Sequence, residues 1–443
     1  MVVGLGALFA TFLPIWWMVR LDLSFITYFG SWSLGFLVGP SDLMLGMMVG
    51  ALIVRGRRAE EWRLAKFPFI LWWLVLLTLL CLSYVKAPIH HEHLTDPIRV
   101  TYQLLRYCLR PIAYLPLILV LIRSAKRTYT VIFVIQVAAL QVTLMAIKQG
   151  MTGMSATPGP FLTGNQLGGV LLMPTMMAVV GAVLPRTKPQ FIISIVSLPL
   201  IARALLYSES RGAQVSLVAG CLFFSVMLIT QHVGRKRLRW MSPLMLIGFI
   251  AILPAMPIIL SRPSIKHALS ASDASEDSNM KWRMEERWPH FWAIALDNPI
   301  FGVGTEVDAS LGPKANTPHN GYLAMAVLWG FPAAGIIVLL ALRTLWNGVV
   351  LYRRSRRVDH RLFGLTVCSA MAAILTHQIV EVTLIHTYTY KVFWFLLATS
   401  ELAKRWPDDD DEAPAFFLTR RQLHGFEPAP TPAPPPQSVG VRG

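Results

Sequence analysis

Apolar runs of roughly twenty residues recur along this chain, and a run of that length crosses the hydrocarbon core of a bilayer as one α-helix. Backbone polar groups inside lipid must be satisfied within their own segment, which a helix achieves. Candidate spans run approximately 4–20, 38–54, 67–85, 104–122, 129–147, 166–184, 190–206, 212–230, 241–260, 320–346, 362–380 and 386–403. Segment 21–37 is re-entrant, interfacial or a thirteenth short span. The expectation is an all-α polytopic membrane protein of about 12 transmembrane helices, within a range of 11–13.

Composition agrees: 14% of residues are charged, against roughly 25% in a soluble chain. The formal net charge of +16 does not point to nucleic acid, because the cations sit in short clusters between apolar runs. Cys81, Cys108, Cys221 and Cys368 lie in or beside apolar runs without a CxxC pair, so neither a zinc site nor a disulfide framework is implied. The first cation is Arg20, which favours a retained first span over a cleaved signal peptide.

Orientation follows from the Lys/Arg bias of the short loops. Arg55, Arg57 and Arg58, then Arg123, Lys126 and Arg127, then Arg186 and Lys188 fall on one side. So do Arg235 to Arg239, Arg353 to Arg357, and Lys404 with Arg405, which makes that side cytoplasmic. The opposite loops include one large polar insert, 261–319, expected to be periplasmic. Four regions result: N-terminal spans at 1–160, a region at 161–345 that includes the insert, C-terminal spans at 346–405, and a tail at 406–443. The tail's acidic run and its Pro/Ala-rich stretch cannot bury a core, so it is read as disordered and cytoplasmic.

Chemistry concentrates on the outward side. Arg211 follows Ser210 in a very short turn, where Ser210 can cap the next span and leave its N–H groups beside the guanidinium. The plain alternative is a snorkelling arginine or a partner for Glu209. Segment 280–296 reads as a helix on the membrane surface, with Arg283, Arg287 and His290 on one stripe and Met284, Trp288, Phe291 and Ala295 on the neighbouring apolar one. Pro289 is expected to kink it. An arginine pair can bind phosphate oxygens bidentately, although a merely amphipathic surface helix has the same pattern.

The strip Asp297-Asn298-Pro299-Ile300-Phe301-Gly302-Val303-Gly304 is turn chemistry, and lacks the strand context of a dinucleotide fingerprint. His319 follows Thr317, a plausible N-cap, and Pro318, suited to a first helical position. In that first turn the helix dipole disfavours an imidazolium, leaving a ring able to accept a proton. His377 and Glu381, at i and i+4 on a later span's outer end, are further candidates for the site. His90-His91-Glu92-His93 lacks the helical spacing of metal ligands, and the adjacent Glu285 and Glu286 point about 100° apart, too far for a glycosidase pair.

These pieces, in this order, resemble the O-antigen ligase and polymerase superfamily of bacterial membrane glycosyltransferases. The residues that carry the resemblance are Ser210-Arg211-Gly212, Arg283 followed by the Asp-Asn-Pro strip, and His319-Asn320-Gly321-Tyr322-Leu323. The resemblance implies one large periplasmic loop and transfer of a glycan from an undecaprenyl-diphosphate carrier to an acceptor hydroxyl at the periplasmic face of the inner membrane. It implies Arg211, Arg283 and His319 as catalytic; Arg287, Ser210, Asn320 and Tyr322 are the candidates for binding the diphosphate and substrate. Neither metal nor cofactor is implied. The acceptor is lipid A–core in the ligase branch and a second lipid-linked repeat in the polymerase branch. The single dominant outward loop favours the ligase. A transporter or flippase of a lipid-linked or anionic solute is the reading from another class, although transporters usually place coupling charges near the bilayer midplane.

Overall fold

The computed structural model describes residues 69–90, 115, 118, 119, 122, 125–152, 164–185, 187–230, 281–304, 318–355, 357–384 and 387–404. Among the described residues there are nine α-helices, one π-helical turn and no strand. Seven of these helices among the described residues are long and apolar enough to cross a membrane. They are α1 (Phe69–His90), α2 (Ala125–Met151), α3 (Gly164–Val183), α4 (Lys188–Ser208), α5 (Arg211–Thr230), α7 (Gly321–Arg354) and α8 (Val358–His377). The short α6 (Trp288–Asp297) continues the π turn Arg283–Arg287, and α9 (Thr387–Ala403) closes the described chain.

The expected spans at 4–20, 38–54, 104–122 and 241–260, and segment 21–37, lie wholly or mostly outside the described residues. So do residues 261–280 and 305–317, the tail from 406, the His91–His93 run, Thr317 and Cys108.

Burial separates centre from rim. α3 and α8 have 78% and 72% of their apolar windows buried, whereas α1, α4 and α5 have 33%. Between helices that all prefer lipid, association depends on close backbone approach. α7 and α8 meet where Gly348 and Gly364 face each other: a Cβ at 364 would stand 2.6 Å from Gly348 O. A Cβ at Gly220 of α5 would lie 2.9 Å from Ala373 Cβ of α8. Substitution at either contact forces the helices apart.

α7 is broken near its start, a feature that the expected span at 320–346 did not include. Gly330 takes φ 83° and Pro332 removes one N–H, so the carbonyls of Val327 and Leu328 lose their helical partners. The Asp-Asn-Pro strip supplies replacements: Val303 and Gly304 donate their N–H groups to Val327 O and Leu328 O, each at 2.9 Å. Phe331 N–H returns the contact to Pro299 O at 2.8 Å. A Cβ at Gly330 would sit 2.2 Å from Ile300 O. The strip is the structural complement of a helix break.

The bundle has two chemically distinct ends. One gathers the starts of α4 and α8 and the ends of α7 and α9; there Tyr129 Oη–H donates to Asp359 O at 2.9 Å, and Arg343 Nε–H to Glu401 Oε1 at 2.6 Å. Asn347 and Lys404 complete that second contact, binding Glu401 Oε1 at 2.7 Å and Asn347 Oδ1 at 2.5 Å respectively. Pairing of this kind is what makes buried charge tolerable in a membrane bundle. The other end collects the α4–α5 turn, the π turn with α6, the start of α7 and the segment 378–384.

Candidate active site

The first component is the α4–α5 turn. Glu209 ends α4 with φ 55°, and its N–H returns to Leu206 O at 3.4 Å. Ser210 then caps α5, its Oγ accepting Ala213 N–H at 3.4 Å, and Arg211, exposed, opens the helix. A Cβ at Gly212 would stand 2.6 Å from Val380 Cγ2 and 3.5 Å from His377 Nε2. That fit seats the arginine turn directly against the segment following α8.

The second is the π turn. Trp288 N–H bonds Arg283 O, five residues back, just before Pro289. Proline clashes with the carbonyl four residues before it and donates no N–H, and the wider turn relieves both. The wider turn also disrupts the expected stripe. Arg283 is half-buried, Arg287 is buried with its guanidinium 4.0 Å from the Trp282 ring centroid, and His290 is exposed. Arg283 Nη1 donates to Val380 O at 3.2 Å, while its buried Nε has no hydrogen-bond partner among the described residues. Burial lowers the Arg283 guanidinium from its ordinary value and the charge of Glu381 opposes that.

The third is the start of α7. The helix begins at Gly321, capped by Asn320, whose Oδ1 accepts Leu323 N–H at 3.0 Å. His319 is therefore not in the first helical turn, as expected from Thr317 and Pro318, but one residue before the cap. It has φ 50°, a left-handed conformation uncommon outside glycine. Its position is set instead by a carboxylate: Nδ1 lies 3.1 Å from Glu381 Oε2 and 3.3 Å from Oε1. Trp288 Nε1–H fixes the preceding residue, donating to Pro318 O at 3.0 Å. Tyr322 Oη–H is committed to Leu375 O at 2.6 Å.

Segment 378–384 organises all three. Its Val380 carbonyl holds Arg283, its Glu381 carboxylate meets His319, and its Gln378 carbonyl accepts Gly321 N–H at 2.7 Å. His377, fully buried at its base, hydrogen-bonds Thr383 Oγ1 through Nδ1 at 2.5 Å. Burial pushes the Glu381 carboxyl up, but the hydrogen bond and charge of His319, the Val382 N–H and the field of His377 outweigh it. The net result is a carboxyl held below its ordinary value, and so ionised at neutral pH.

Residues 195–338 match the family model described as O-antigen ligase. The matched segment is similar to that family and spans 144 of the 443 residues, about a third of the chain. No curated protein matches the chain. The ligase segment contains Ser210, Arg211, Arg283, Arg287, His319, Asn320 and Tyr322; His377, Val380 and Glu381 lie outside it. The fold thus completes the ligase-segment cluster with groups from a later helix end.

Beside the cluster runs a groove of about 870 Å³ between the π turn with α6 and the first half of α7. Met284, Trp288, Trp292, Phe331 and Val338 line it, and Asn320 and Tyr322 stand among its polar members. A Cβ at Gly335, another lining residue, would meet nothing within 4 Å.

Proposed function

We propose that this protein transfers a glycan from an undecaprenyl-diphosphate carrier to an acceptor hydroxyl at the periplasmic face of the inner membrane, as an O-antigen ligase with lipid A–core as acceptor. The observation that carries this reading is the single turn that holds His319 through Glu381 and Arg283 through Val380 O, next to an apolar groove. A guanidinium whose Nε has no partner among the described residues suits diphosphate oxygens, and a histidine held by the same turn suits a hydroxyl. The groove suits a hydrocarbon tail.

In this reading the acceptor oxygen attacks the anomeric carbon while the carbon–oxygen bond to the diphosphate breaks. Negative charge builds on the departing diphosphate, where Arg283 and Arg211 stabilise it; a fixed donor such as the half-buried Arg283 is worth about 2–4 kcal/mol. His319 receives the hydroxyl proton. One displacement inverts the anomeric centre, and the residues do so without a cofactor. Arg287, packed on Trp282, supports the π turn that aims Arg283. Ser210 and Asn320 act through their caps, and Tyr322 through its bond to α8.

Transfer to a second lipid-linked repeat, the polymerase reaction, uses the same donor chemistry. Reconstitution with a lipid-linked repeat and each acceptor in turn separates the two. A product on lipid A–core supports the ligase, and a lengthened lipid-linked chain supports the polymerase. A flippase would move the donor across the bilayer without changing either.

A further inference from the structure

Glu381 is 6% exposed and reaches His319 from outside the ligase segment. Burying a carboxylate is costly unless charge and hydrogen bonds compensate. Compensation here is specific: Oε2 faces His319 Nδ1 at 3.1 Å and Oε1 accepts Val382 N–H at 3.2 Å. An ionised carboxylate only accepts hydrogen bonds, so the facing Nδ1 carries a hydrogen. In the neutral ring Nε2 is then the atom without one.

The contact is not required to hold the helices together. Gly321 N–H already bonds Gln378 O, and Tyr322 Oη–H bonds Leu375 O, so α7 is tied to α8 and its following segment twice without Glu381. Nor does the guanidinium of Arg283 depend on it for a partner, since that group donates to the Val380 carbonyl.

We infer that Glu381 is a positioning residue for glycan transfer, fixing His319 as the Nδ1–H tautomer so that Nε2 receives the acceptor's proton. This rests on the transfer reading above. In the step, an acceptor-oxygen lone pair forms the new bond to the anomeric carbon. The carbon–oxygen bond to the diphosphate breaks, its electron pair leaving with the diphosphate, and the hydroxyl proton passes to Nε2. The resulting imidazolium stands against the Glu381 carboxylate until water takes the proton.

The test compares wild type, Glu381→Gln, Glu381→Asp, His319→Ala and the His319→Ala/Glu381→Gln double variant, each as the full chain in lipid nanodiscs with an undecaprenyl-diphosphate-linked repeat as donor and lipid A–core as acceptor. Glu381→Gln is expected to lower kcat by about 10²- to 10⁴-fold, the usual worth of general-base catalysis that a wrong tautomer forfeits, with donor KM within twofold of wild type. Glu381→Asp is expected to recover part of that loss. The double variant is expected to be no slower than His319→Ala alone, because Glu381 acts only through the ring. Wild-type kcat in Glu381→Gln, no gain from Asp over Gln, or losses that multiply in the double variant would overturn the inference while leaving the transfer reading intact. Absence of any transfer by wild type would instead overturn the reading itself.

Discussion

His319 and Glu381 stand 62 positions apart in the chain and 3.1 Å apart in space. Each comes from the irregular backbone at a helix end, His319 just before α7 and Glu381 just after α8. A membrane helix satisfies its own backbone but leaves its ends open, so polar chemistry collects where ends meet.

Arg283 is expected to be indispensable and lysine an inadequate substitute. Arg283→Ala should lower kcat/KM by about 30- to 1000-fold, the equivalent of 2–4 kcal/mol. Arg283→Lys should recover only a fraction, because a point charge replaces a fork that also donates to Val380 O. Initial-rate kinetics on purified variants, with expression matched, check both outcomes.

Gly335 tests the groove. It lines the groove and faces open space, so Gly335→Trp should fold while filling volume. The expected result is a KM raised at least severalfold for an undecaprenyl donor, with little change for a donor carrying a short prenyl chain. Equal effects on both donors would place the tail elsewhere.

Acid should weaken the site's packing through Glu381. Its carboxyl is held below the ordinary 4.5 when folded. Ionisation therefore stabilises the folded state fully above that value, and the contribution is lost as pH falls from 4.5 through the lower folded value. Thermal unfolding in detergent from pH 7 to pH 3 should show a steeper acid loss for wild type than for Glu381→Gln, which has no carboxylate to protonate. Parallel curves would remove Glu381 from the acid response.

Much of the bundle was legible because twenty apolar residues leave a segment few alternatives to a helix. The spans expected at 166–184, 190–206 and 212–230 recur as α3, α4 and α5 with ends shifted by a few residues, and Ser210 caps as its position before an apolar run implied. What eluded the sequence was long-range or phase-dependent. Arg283, Arg287 and His290 share a stripe only at 3.6 residues per turn, and the π turn before Pro289 changes that phase. Thr317 and Asn320 are both good caps, and the structure places Asn320 at the helix start, leaving His319 outside it. The pairing of the Gly302–Gly304 strip with the break at Gly330 required both partners in view. His377 and Glu381 showed only as a four-residue spacing; that Glu381 faces His319 is a property of how α7 and α8 meet.

The central claim is tested most directly by transfer in a defined bilayer. Wild type, Arg283→Ala and His319→Ala are reconstituted with a radiolabelled undecaprenyl-diphosphate repeat and lipid A–core, and glycan-bearing product is quantified alongside donor binding. The expected result is product with wild type, near-complete loss with His319→Ala despite retained donor binding, and loss of both product and donor affinity with Arg283→Ala. Wild-type product levels from both variants, or no product from wild type with lipid A–core or a second lipid-linked repeat, would contradict it.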